Sequence, residues 1–344
     1  MLRLYVFLNL MLAVGCSNKE TVTTVATTSA VEQPVVWHSL ESTDGSTPIA
    51  RHEAAFVAVG DKFYLLGGRG IKPVSIYDTK TNSWTQGAES PIEIHHFQPV
   101  VYQEEIYLLG AMTGPWPGEI PVPNLYIYNP ASDEWRLGPE IPAERRRGGA
   151  GAVLHEGKIY LVCGIKDGHR GDHKTWLDSY DLEADRWTIL ADAPRARDHF
   201  QAVVIDDRLY AAAGRRTGSV PDDPFGGTEA LVDVYDLATN SWTSLADTLP
   251  TPRAGNAAIG LEQRLLILGG ESPAHEHAHH EVEALDVSSG HWQQLPPLSR
   301  GRHGTGVVHY QNQLLMASGC GNRGGNPELA DLIQCAVVAS AAQE

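Results

Sequence analysis

Arginines and histidines recur along this 344-residue chain at spacings that could assemble an anion site. Sixteen residues ahead of five of the six small-residue pairs that end an apolar run stand Arg51, Arg147, Arg197, Arg253 and Arg302. The second occurrence has Ile94, followed by His95 and His96. Arg69, Arg146, Arg215, Arg216 and Arg323 lie nearby in the chain, so ten arginines of the 26 basic residues track one repeated position. His52, His199 and His303, with Asp198, Asn256 and Glu271, accompany them. A guanidinium is a planar fork of donors that matches carboxylate or sulfate bidentately. A converging set therefore predicts a site for an anionic ligand. Were that ligand turned over, His199 would be the base and Arg197, Arg253 and Arg302 the carboxylate clamps. Strand alternation sets Asp198 on the side opposite His199, which argues against a direct pair.

A second cluster is His275-Glu276-His277-Ala278-His279-His280-Glu281. In an extended chain His275, His277 and His279 share one side, and their imidazoles could chelate a divalent metal. A solvated polar loop is the plainer reading of the same residues. Lys166 to Trp176, with His169, Arg170, Asp172 and His173, reads as a polar lid. Trp116 and Trp176 could stack on a sugar ring or cap an edge.

The elements that position these residues follow from a repeat. Trp37, Trp84, Trp135, Trp187, Trp242 and Trp292 are 47, 51, 52, 55 and 50 residues apart. Ahead of five of them stand Tyr77-Asp78, Tyr128-Asn129, Tyr180-Asp181, Tyr235-Asp236 and Leu285-Asp286. Ahead of those come apolar runs ending in small residues, such as Leu65-Leu66-Gly67-Gly68 and Leu268-Gly269-Gly270. A unit of roughly fifty residues with these landmarks resembles the kelch repeat, in which four strands make one propeller blade. The resemblance covers residues 34 to 338 and implies an all-β, six-bladed propeller. The last repeat lacks its tryptophan strand, so the segment around Val35-Val36-Trp37 is expected to complete it and close the ring, leaving no open sheet edge. Connections at 111–124, 165–176, 215–230, 271–281 and 320–330 are long and varied, and they share a face with the starts of the first strands. Function concentrates on such loops. In kelch repeats the arginine often pairs with backbone or acids of a neighbouring blade, a structural alternative to ligand binding.

Residues 1–15 read as a bacterial lipoprotein signal: Arg3, an apolar run too short to span a bilayer, then Ala13-Val14-Gly15-Cys16. Cys16 is the expected lipid acceptor, residues 16–33 a Ser/Thr-rich tether and 339–344 a tail, giving an exported protein held at a membrane, outer membrane or periplasm. Cys163, Cys320 and Cys335 are an odd number and imply buried thiols rather than a disulfide framework. The net charge of −16 argues against nucleic acid as a partner.

These readings lead to an exported monomer that binds an anionic saccharide or small anion at the mouth of the central channel. Two alternatives stand beside it. One is a carbohydrate-active enzyme of uronate lyase or sialic-acid epimerase type, since the resemblance includes such bacterial propellers. The other is a protein-interaction scaffold, which would need exposed apolar patches on the loop face. A copper radical oxidase is disfavoured, because no tyrosine set accompanies Cys163 and Cys320.

Overall fold

In the computed structural model residues 35–337 are described, and they form six four-stranded antiparallel sheets. Each sheet is one blade, and the expected six-bladed propeller is observed. In the first blade Ala54–Val59, Lys62–Gly67, Pro73–Asp78 and Ser83–Glu89 pair in chain order. The next four blades repeat this order. The sixth takes Val308–Tyr310, Gln313–Ala317 and Leu332–Ala336 from late in the sequence and His38–Ser39 from early in it. His38 faces Gln334 and Ser39 faces Ile333. The closing ladder begins just after Val35-Val36-Trp37, and Trp37 itself is buried among residues of the fifth and sixth blades. Cys16 and the proposed tether lie outside the described residues.

The landmarks of the repeat each have a physical role. Alternating apolar residues on the two faces of every blade meet those of its neighbours, giving one core cluster per junction; Tyr64 and Leu66 of the first blade meet Ile106, Leu108 and Tyr128 of the second. The tyrosine before the acid donates to the turn that follows, Tyr128 to Asp133, Tyr180 to Asp185 and Tyr235 to Asn240, each at 2.6 Å. The acid itself accepts from backbone amides of that turn, as Asp181 does from Ala184 N at 2.8 Å. The tryptophan packs on the tyrosine, with ring centres 5.2 Å apart for Tyr77 and Trp84. Trp187 and Trp242 also donate to carbonyls of the preceding blade, Glu140 O and Ala191 O.

At the channel the blades are stitched by backbone. His96 N donates to Glu53 O, Gly149 N to His96 O, His199 N to Gly149 O, Gly255 N to His199 O, and Gly304 N to Gly255 O. Ala54 N completes the circuit to Gly304 O. Residues 53, 96, 149, 199, 255 and 304 all have positive φ, between 53° and 65°. Three of these positions are glycine, which adopts that conformation without penalty. The other three are Glu53, His96 and His199. Non-glycine residues held there are strained, and such strain gathers at functional sites.

Candidate functional site at the channel mouth

The repeated arginines do not form the mouth. Arg51, Arg147, Arg197, Arg253 and Arg302 are fully buried. Each reaches along its own blade to the backbone carbonyl sixteen residues on: Gly67 at 3.1 Å, Cys163 at 2.6 Å, Ala213 at 2.8 Å, Gly269 at 2.6 Å and Ser318 at 3.0 Å. Most also meet an acid on the third strand or just before it: Arg147 with Asp178, Arg197 with Asp233, Arg253 with Glu283, and Arg302 with Asp331. The anion expected at Arg197, Arg253 and Arg302 is thus replaced by carboxylates of the same blade rather than of a neighbouring one. The sequence carries a sign of this, since Asp178, Asp233 and Glu283 each precede the acid of the tyrosine-acid landmark by three residues. The second blade, with Ile94 for arginine, has Tyr126 there instead.

The mouth is built from the two residues after each arginine position and from the long loops. A cavity of about 370 Å3 is lined by His52, Glu53, Arg69, His96, Trp116, His169, Arg215, Phe225 and Glu271. A narrower space shares Glu53 and His96 and continues along the channel past Gly149, His199, Asn256 and Gly304. Arg323 lies over the Phe225 ring at 5.2 Å. Trp116 is largely exposed at the rim. Trp176 does not line the cavity; the guanidinium of Arg145 covers it at 4.2 Å.

Two charged networks hold this mouth. Arg215 donates to Glu271 at 2.6 Å, and Glu271 also accepts from Gly324 N at 2.7 Å. His303 sits 3.5 Å from Glu271 and 3.6 Å from Glu53, and its Nε2 donates to Asn322 O and Gly324 O. Burial opposes its charge, but Glu271, then Cys320 and Glu53, prevail and lift it to about 10. In the second network the buried Glu119 accepts from Arg69 at 2.5 Å and from His169 at 3.0 Å, joining loops of the first three blades. Burial raises this carboxyl, yet His169 and Arg69 outweigh it and hold it far below the usual range. His52 is bound to Glu328 at 2.7 Å.

Asp198 and His199 correct the expectation from strand alternation. The left-handed backbone at His199 turns its ring onto the preceding side chain, and Nδ1 lies 2.5 Å from Asp198 Oδ1. Asp198 is held in turn by Thr217 Oγ1 and Thr217 N. The Nε2 of His199 is buried and has no partner among the described residues. His96, His169 and His199 each bring a ring nitrogen within 4.8 Å of the others.

The fifth-blade loop also differs from expectation. His275 and His279 come together with Glu281, but His277 turns to Asn322 at 3.0 Å and is not part of the group. Glu53 and Glu119 were not singled out from sequence. Glu53 occupies the position of His96 and His199 relative to the repeat, so aligning the repeats could have found it; Glu119 has no such signal.

Comparison with known proteins agrees with this architecture. The KLHDC2/KLHL20/DRC7 Kelch-repeats domain matches residues 97–319. Kelch-like protein terF of Aspergillus terreus is 26% identical over 338 residues, covering 90% of this chain and 68% of that protein. Human Kelch-like protein 38 is 25% identical over 75% of this chain, which spans only 42% of that relative. The structure of YjhT superposes with a TM-score of 0.70 at 17% identity, covering 86% of this chain and 97% of that one.

Proposed function

The chain belongs to the kelch-repeat family, and from that premise we propose that its propeller mouth binds a small sugar-like ligand carrying an anionic group. One observation carries this reading: the cavity of about 370 Å3 joins aromatic walls, Trp116 and Phe225, to the guanidinium of Arg69. Its size lies in the range of small-molecule sites. Aromatic faces suit the apolar side of a sugar ring, the donors of the partly exposed Arg69 that Glu119 does not take suit a carboxylate, and Glu53 and Glu271 can accept from hydroxyls. Thermal-shift and calorimetric titration with uronic acids, sialic acids and their neutral counterparts tests the reading. Acidic sugars should raise the melting temperature and neutral ones should not; the idea fails if neither group binds, or if Arg69→Ala binds as the parent does.

Turnover of such an acid is a second reading, supported by the Asp198–His199 pair, whose Nε2, without a partner among the described residues, has the form of a general base. A lyase or epimerase assay on any sugar that binds decides between binding and catalysis. A scaffold role is supported by exposed Ile71, Trp116, Ile120 and Val220 on connections of the loop face. Export with a lipid on Cys16 belongs to the same proposal, and mass spectrometry of the mature N-terminus tests it.

A further inference from the structure

We propose that His96, His169 and His199 form a site for a divalent transition-metal ion where the mouth narrows into the channel. The three rings come from three successive blades: His96 and His199 from the backbone circuit, His169 from the short turn Gly168–Arg170 in the third blade's long loop. Ring centres are 4.6 Å apart for His96 and His199, 5.0 Å for His169 and His199, and 5.2 Å for His96 and His169.

The hydrogen bonds decide which nitrogen each ring offers. Asp198 can only accept, so Nδ1 of His199 carries the proton. Glu119 does the same for Nδ1 of His169. His95 donates from Nε2 to Gly114 O at 3.3 Å, which makes its Nδ1 an acceptor; Nδ1 of His96, 2.5 Å away, is therefore the donor. All three rings are left with a lone pair on Nε2.

Each ring brings a nitrogen within 4.8 Å of the others, and lone pairs gathered so closely repel one another. Glu53 Oε2 adds a carboxylate oxygen 3.3 Å from Nε2 of His96. The Nε2 of His199, on a side chain more than nine-tenths buried, has no partner among the described residues. An unpaired buried acceptor of this kind costs free energy, and a cation bound to it removes that cost. Outer partners on Nδ1, with Nε2 presented to the centre, are the arrangement found around metal-ligating histidines. Imidazole ligands suit Zn, Cu, Ni and Fe. Metal–nitrogen bonds of about 2.1 Å would draw the nitrogens to about 3.4 Å apart, a small closing of the present cluster. The strained backbone at His96 and His199, where three other blades use glycine, has a purpose in such a site.

The cluster at His275, His279 and Glu281 lacks this character. There both nitrogens of His279 are engaged, Nε2 with Ser272 Oγ at 2.8 Å and Nδ1 with Glu281 at 3.0 Å. A metal on His199 would also occupy the lone pair that a general base needs, so the two roles exclude one another. The metal site stands independently of any organic ligand.

The test is a titration of the full, chelator-stripped chain with Co2+ alone, read by its visible absorption, with Zn2+ competing. One equivalent should bind, and Zn2+ should displace it. His169 lies on a loop, so His169→Ala should fold, as its melting temperature will show, and should lose the absorption. Glu119→Gln should weaken binding about 10–100-fold, while a His275→Ala, His279→Ala double variant should bind as the parent does. The proposal is overturned if the parent gives no Co2+ absorption at millimolar metal, or if His169→Ala and His96→Ala retain it undiminished.

Discussion

Asp198 and His199 are neighbours in sequence, and their side chains meet at 2.5 Å because the backbone of His199 is left-handed, with φ of 53°. In an extended strand the two would point apart. Asp198 is fully enclosed and binds His199, Thr217 N and Thr217 Oγ1 together. Replacing it by Ala leaves all three without their acceptor. We expect Asp198→Ala to lose about 3 kcal/mol of stability, checked by urea denaturation. A variant as stable as the parent would show that this buried network contributes little.

Arg253 gives the opposite of what a ligand clamp would. It binds Gly269 O, Thr251 O, Ile267 O and Glu283 inside its blade. Arg253→Ala leaves the buried Glu283 carboxylate without its cation, with only the Thr251 hydroxyl donating to it, and should cost about 3–5 kcal/mol. Arg69→Ala takes one partner from the buried Glu119 but leaves it His169, so it should cost less. Melting curves of the two variants side by side check this contrast; equal losses would contradict it.

Ring closure should be costly to undo. Trp37 is buried between the fifth and sixth blades, and the adjacent His38–Ser39 strand completes the sixth sheet. Trp37→Ala should lose about 3–5 kcal/mol. Denaturation midpoints unchanged from the parent would show that the closing strand is held by its backbone alone.

Acid should loosen the mouth. Burial pushes the Glu271 carboxyl up, but His303 and Arg215 outweigh it and hold it at about 2, below its ordinary 4.5. A carboxyl depressed in the folded state adds stability above its unfolded pKa, and this is lost as pH falls through the folded one. Stability should therefore fall between about pH 4.5 and pH 2, and Glu271→Gln should flatten that part of the profile. Denaturation across this range measures it; an unaltered slope in the variant would place the acid sensitivity elsewhere.

Local sequence determined the blades. The tyrosine-acid turn, the tryptophan that packs on it and the alternation of apolar strands act over a few residues, so a fifty-residue period revealed six blades and their closure. Even the sixteen-residue spacing of the arginines was legible, and it corresponds to one hydrogen bond along each blade, from guanidinium to carbonyl. Its meaning was not legible, because arginine facing a ligand and arginine facing its own backbone have the same spacing. Burial separates the two, and burial is a property of the packed blade. The mouth was decided wholly by tertiary structure. Glu119 and His169 stand fifty residues apart on different loops, and His96 meets His199 only because six blades close around one channel. Left-handed turns at Glu53, His96 and His199 then aim these side chains where strand alternation alone would not.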